Sequence, residues 1–240
     1  MEGRHAVTEL LALARGPLLV LSFALLILGT IRQWTLSLSE VLRAYRKAGD
    51  HKIPWCWMWK KSLGWIVPVN ALRGTRIPFT IASATFHVGV LVVPVFLAGH
   101  VALIKKGTGL SWPALPGTVA DTLTILSLAS LAVLLLYRLL HRAVRSLSGV
   151  QDYLLPCLLI IVFFTGLWMA HPGLSPLPFP LVYLGHLLSG ELILTLLPFS
   201  KLAHALLFPS TRLVWELGWH FVPGAGDRVR LALGKEGQGI

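Results

Sequence analysis

Residues 79–104 read FTIASATFHVGVLVVPVFLAGHVALI, and residues 179–208 read FPLVYLGHLLSGELILTLLPFSKLAHALLF. Each is long and apolar enough to cross the hydrocarbon core of a bilayer as a helix, which takes about 20 residues. Each also carries two histidines, His87 with His100 and His186 with His204. An imidazole inside a membrane span is costly and marks a functional site with a partner to be named. These two stretches decide the fold class, an all-α integral membrane bundle, and they pose the question of what the histidines hold.

Three more stretches qualify as spans, residues 11–35, 119–140 and 153–170, with the second at 79–104 and the last running over 181–208. The composition agrees. Apolar residues make up 55% of the chain and charged residues only 13%, which describes a polytopic membrane protein rather than a soluble domain. The first apolar run lacks a small-residue cleavage site after it and is expected to stay as a helix. No internal repeat or low-complexity linker interrupts the chain, so residues 1–240 read as one membrane domain. Cys56 and Cys157 are too few for an iron–sulfur cluster or a structural zinc, each of which needs about four ligands. Iron–sulfur chemistry would therefore belong to another subunit.

Lys and Arg collect on one side of the five spans. The loop 40–78 holds Arg43, Arg46, Lys47, Lys52, Lys60, Lys61, Arg73 and Arg76, against Glu40 and Asp50. The third connection holds Arg142 and Arg145, with Arg138 just inside the helix end, and the tail 209–240 holds Arg212, Arg228 and Arg230. By the positive-inside rule the N-terminus lies outside and the C-terminus in the cytoplasm. The net charge of +11 is then a topology signal, and no nucleic-acid partner is expected. Within the loop, IPWCWMWKK interleaves Trp55, Trp57 and Trp59 with Lys60 and Lys61. It reads as an anchor to membrane lipid at headgroup depth, and also as a docking surface for a cytoplasmic partner.

Neutral imidazole is a good axial ligand for iron, and two helices with two histidines each suggest two haems gripped across helices. His186 and His204 are 18 residues apart. On one helix that is five whole turns, which puts both on one face roughly 27 Å apart. His87 and His100 are 13 apart. On an ideal helix they would point about 140° away from each other, so a kink at Pro94 is needed to bring them toward one side. Antiparallel packing of the second and fifth helices pairs His87 with His204 near the cytoplasm and His100 with His186 near the outer face. His87 and His186 lie at opposite depths and could not share an iron. Gly89, Gly99, Gly185 and Gly190 flank the candidates and allow close approach of a flat porphyrin or of another helix.

The remaining polar groups carry open alternatives. His171, in GLWMAHPG, is a helix-end group, a quinol-facing base or a spare ligand. His141 sits amid arginines as a solvated boundary residue, and His5, His51 and His220 fall in flanking, loop and tail sequence. Lys201, one turn before His204, is a candidate partner for a haem propionate, as are Lys105, Lys106 and Arg138; each alternatively snorkels to the interface. Glu191 is too deep to snorkel and is either a proton-relay carboxylate or a group bonded to a neighbouring helix. Asp121 reads as a helix cap.

Five helices with two histidines on the second and two on the fifth resemble the gamma subunit of respiratory nitrate reductase. The same superfamily includes the membrane cytochromes associated with dissimilatory sulfite reductase and with heterodisulfide reductase. The resemblance spans residues 11–208 and is one of pattern; the second-helix spacing is longer here, which points toward the heterodisulfide-reductase branch. It implies two haem b ligated by His87, His100, His186 and His204, with quinol (menaquinol or ubiquinol) oxidised near the outer haem. It further implies a cytoplasmic iron–sulfur partner and a place in the prokaryotic cytoplasmic membrane. Two other classes stay open. One is a haem-free anchor whose histidines bond across helices. The other is a proton or solute transporter using Glu191, which would be expected to show repeats and broken helices.

Overall fold

The computed structural model describes residues 2–47, 55, 56, 59, 60, 77–208, 210, 211, 214 and 224–237. Most of the basic loop and of the tail, including Asp50, His51, Lys52, Trp57, Lys61, Arg73, Arg76, Arg212 and His220, lies outside the described residues. All regular structure among the described residues is helical. Helix α1 (Glu2–Leu13) runs through a π-turn (Ala14–Leu18, with Pro17 inside it) into α2 (Leu19–Lys47). There follow α3 (Ile77–Phe96), α4 (Ala98–Thr108), α5 (Gly117–Leu140), α6 (Arg142–Ser146), α7 (Gln151–Ala170), α8 (Phe179–Leu196) and α9 (Ala225–Ala232). Among the described residues five helical stretches are long and apolar enough to cross a membrane: His5–Arg43, Ile77–Phe96, Gly117–Leu140, Gln151–Ala170 and Phe179–Phe199.

The chain divides into two compact units, residues 1–22 with 69–194 and residues 23–68 with 195–240. In the first, α5 is the central packing partner. Its buried positions Ala120, Thr124, Ser127 and Leu131 recur every three or four residues, and α3, which packs on it, buries Ala82, Gly89 and Val93. Small residues let two backbones approach where lipid removes any hydrophobic drive for helices to associate. Gly89 shows how close: a Cβ there would lie 1.7 Å from Ser127 Oγ. Gly89 therefore serves helix packing. Leu155, Leu158, Leu159 and Phe163 of α7 complete the buried set. Exposed positions are the reverse: Ile81, Leu91, Ile125, Leu136, Leu154 and Ile161 all face outward. The small and hydroxylated side chains of α3 and α5 lie inside with the leucines of α7, and many aliphatic side chains face outward, as a lipid solvent permits.

Two of the expected spans are interrupted. In the second, α3 carries Pro94 within it, and the helix breaks at Leu97, whose ψ of 131° is extended. That torsion leaves the carbonyls of residues 94–96 without the N–H groups of a continuing helix, and all three find donors elsewhere. His100 Nδ1–H donates to Pro94 O (2.9 Å), Trp112 Nε1–H to Val95 O (2.9 Å) and Leu115 N–H to Phe96 O (2.8 Å).

The last span is also shorter than the expected 181–208. Helix α8 ends at Leu196, and 3-10 turns follow at Leu197–Phe199 and Lys201–Ala203 around an extended Ser200. Pro198 has no N–H to continue the ladder. In the second unit Gln33 Nε2 donates to Pro198 O (3.0 Å), and Gly29 lies so near that a Cβ would meet the Pro198 ring at 2.6 Å. The five-turn register between His186 and His204 thus has no continuous helix to carry it. Of the repeats and broken helices expected of a transporter, two breaks are present.

Candidate functional site

His186 projects from the middle of α8 toward α7, where Val162 and Thr165 receive it. Its Nδ1 lies 3.0 Å from Val162 O and 3.2 Å from Thr165 Oγ1. Donation from Nδ1 to the carbonyl leaves the lone pair on Nε2, the tautomer a metal ligand requires. Gly166 makes the space. A Cβ at that position would stand 3.1 Å from His186 Cε1.

His100, aimed by the break at Leu97, faces His186. The two ring centroids are 6.1 Å apart and the planes lie within 17° of parallel. Metal–imidazole bonds are about 2 Å long, so two rings holding one ion from opposite sides have centroids about 6 Å apart. His100 too donates from Nδ1, to Pro94 O, which again leaves Nε2 with the lone pair. Beside it, no atom lies within 4 Å of a Cβ built on Gly99. The donor set and its tautomers, each with Nε2 free to ligate, are those an axially ligated haem iron would need.

The other expected pair is not brought together in one unit. His87, on α3, donates from Nδ1 to Ser83 O at 2.6 Å and meets Phe86 edge-on. His204 belongs to the second unit, at the end of its 3-10 turn, where its Nδ1 donates to Lys201 O. Both rings show the same tautomer-setting bond as the first pair. Lys201 is exposed. Among the described residues no group of three or more His, Cys, Asp or Glu side chains could enclose a metal ion, so the candidates are pairs only.

His171 caps the end of α7, and its Nε2 lies 3.0 Å from Asp121 Oδ2 on α5. Asp121 is not the cap expected of it: α5 starts at Gly117 behind Pro116, and Asp121 stands one turn in. Glu191 is 5% exposed, and its Oε1 has no hydrogen-bond partner among the described residues. A buried unpaired carboxyl oxygen is expensive, which keeps Glu191 a proton-relay candidate. Arg138 is engaged within the third connection, with Ser148 Oγ at 2.7 Å and Asp152 Oδ1 at 3.7 Å. His141 stacks on Tyr137 in an exposed position at a centroid distance of 3.7 Å. Lys105 and Lys106 are exposed in the last turn of α4. A Cβ at Gly185 or Gly190 would make only ordinary contacts with α7, to Thr165 Cγ2 at 3.8 Å and Val162 Cγ2 at 3.9 Å respectively.

Several residues at this site escaped sequence reasoning. Val162 contributes only a backbone carbonyl, Thr165 and Gly166 lie on a different helix from the ligand they serve, and Trp112 lies in a connection. Arg15 is another. Its guanidinium stands 5.7 Å from the Tyr183 ring centroid, and it pairs with no carboxylate among the described residues. Tyr183 is one turn before His186 on α8. A π-turn inside an apolar span is a feature often found at functional sites, and Arg15 sits in one.

Spanning helices with this inside-out partition define a multi-pass helical membrane protein. The chain belongs to one family with a protein of Nitratidesulfovibrio vulgaris (strain Hildenborough), with which it is 36% identical over 173 residues, or 71% of this chain and 74% of the relative. The relative's name, "Protein", states no activity. No family profile matches the chain, and no solved structure does.

Proposed function

We propose that the chain is a dihaem b-type membrane cytochrome subunit that passes electrons between the quinone pool and an iron–sulfur partner of a respiratory oxidoreductase complex. The observation that carries this reading is the facing of His100 and His186 across 6.1 Å, each held in the ligating tautomer by a backbone carbonyl. Haem bound there would supply reversible one-electron transfer in a water-poor interior. The chain's own share is to hold two imidazoles at fixed separation, to raise their basicity through the Nδ1–H bonds, and to keep the site dry. His87 and His204 are the proposed ligands of a second haem, with Lys201 beside it as a propionate partner. The proposal includes the prokaryotic cytoplasmic membrane, the N-terminus outside, and the basic cytoplasmic face as the docking side for the partner.

A pyridine haemochrome assay on the purified chain tests the reading. Two haems per chain are expected. One would remove the His87/His204 site, and none, in cells amply supplied with haem, would overturn the cytochrome reading. A second reading, a proton or solute carrier, draws on the broken helices and on Glu191 with its unpartnered oxygen. It predicts transport by a haem-free chain in liposomes, lost on Glu191→Gln.

A further inference from the structure

We propose that His171 and Asp121 form a quinol-binding and proton-accepting site in this chain. The inference rests on the electron-transfer reading above and deepens it by naming where the substrate's protons go. It starts from a hydrogen bond. His171 Nε2–H donates to Asp121 Oδ2 at 3.0 Å, joining the end of α7 to the first turns of α5. The carboxylate takes the proton-bearing nitrogen, so the neutral ring presents its lone pair at Nδ1, which has no hydrogen-bond partner among the described residues. An imidazole oriented by a carboxylate on one nitrogen and open on the other is the arrangement of a general base.

The pair is reachable and well placed. The two side chains are 42% and 34% exposed, unlike the closed seam between α3 and α5. Gly166, against which the His186 ring packs, is five residues before His171 on α7, about 7.5 Å along the helix axis. On α5, Asp121 follows six residues after Leu115, whose N–H holds the Phe96 carbonyl at the break that aims His100. The dyad therefore lies at the same end of the first unit as the facing histidines. A purely structural pair would serve equally well buried between its helices. This one stands half open, with its basic nitrogen unengaged.

A hydroquinone head group donates one hydroxyl to His171 Nδ1. A haem held by His100 and His186 would supply the one-electron acceptor, handing each electron on before taking the next; with the loss of two electrons both O–H bonds break and the quinone forms. His171 takes the first proton and becomes an imidazolium stabilised by the Asp121 carboxylate. It passes that proton to water at the membrane surface and is then free to take the second. Asp121 acts as a positioning residue, through the ring.

The test uses the full purified chain in nanodiscs and two readouts. In the first, a photoreactive azidoquinone is crosslinked and the labelled peptides are mapped. Labels on the segments containing Asp121 and His171, competed by unlabelled quinone, are expected; labels only elsewhere would overturn the site. In the second, haem reduction by a soluble quinol is followed in stopped flow. His171→Gln is expected to keep its haem and to slow reduction about 10²-fold. Asp121→Asn should slow it less, and Asp121→Glu should recover most of the rate. A His171→Gln rate within twofold of wild type, with full haem, would overturn the proton-accepting role. A wild-type chain without haem would sink the electron-transfer reading alone, because the labelling experiment needs no haem and still decides whether the pair binds a quinone.

Discussion

The imidazoles of His100 and His186 face each other at 6.1 Å and within 17° of parallel, although 86 positions of chain separate them. One is aimed by a break in its own helix, the other by a carbonyl and a glycine on a neighbouring helix. His100 is thus held by its own span and His186 by the neighbouring α7.

If the pair holds one haem, His100→Ala and His186→Ala should each lower the haem count by one per chain and leave the other haem's spectrum in place. Haem counted against protein, with low-spin signals read by electron paramagnetic resonance, checks this. Retention of both haems in either variant would exclude the pair.

Glycines on the two sides of the site should respond differently. Gly166→Leu drives its side chain into the His186 ring, whose Cε1 would already stand 3.1 Å from a bare Cβ. Occupancy of that site is expected to fall by more than half. At Gly99 a Cβ meets no atom within 4 Å, so for Gly99→Leu the apo-protein is expected to unfold at the wild-type midpoint. Haem loss in this variant with an unchanged midpoint would show that a cofactor lies against Gly99.

Gly89→Ala is expected to cost about 1–3 kcal/mol by forcing apart α3 and α5, since the new methyl would fall 1.7 Å from Ser127 Oγ. Removing that oxygen in Ser127→Ala should restore part of the loss but not all, because Leu123 O would remain at 3.1 Å. Unfolding in denaturing detergent, measured as a double-mutant cycle, gives the coupling.

Trp112→Phe removes the donor to Val95 O while keeping a ring of similar bulk. In a membrane-spanning chain such a bond is worth about 0.6 kcal/mol on average. Global stability should change by little. Haem dissociation from the His100 site should rise severalfold, because the break that aims the ring is loosened; transfer to apomyoglobin reads that rate.

The spans were legible in the sequence because length and hydropathy are properties of a contiguous stretch. Their interruptions were legible only in outline. Pro94 signalled irregularity, yet α3 carries it, and the chain turns at Leu97, where an ordinary side chain offers no signal. Pro198 signalled the later break more directly, but a continuous helix was drawn through it, and the shared face expected of His186 and His204 went with that helix. The four histidines were visible as costly residues in apolar runs, whereas what orients them was not. A carbonyl at Val162 has no sequence signature, and the His171–Asp121 pair joins residues 50 positions apart. Arg15, lying in a long apolar stretch, was passed over because its aromatic neighbour is far along the chain.

The capped break at Leu97 also bears on how such chains diverge. With the helix cut and its open carbonyls taken by a ring, an indole and an amide, the azimuths of His87 and His100 are set independently. An insertion or deletion on one side of the cut rotates one histidine and leaves the other as it was. Relatives can therefore build the same chamber with different numbers of residues between the two. A search keyed to a fixed interval would pass over them, whereas one keyed to an interrupted span, with a histidine just past the cut and a tryptophan in the following connection, would find them.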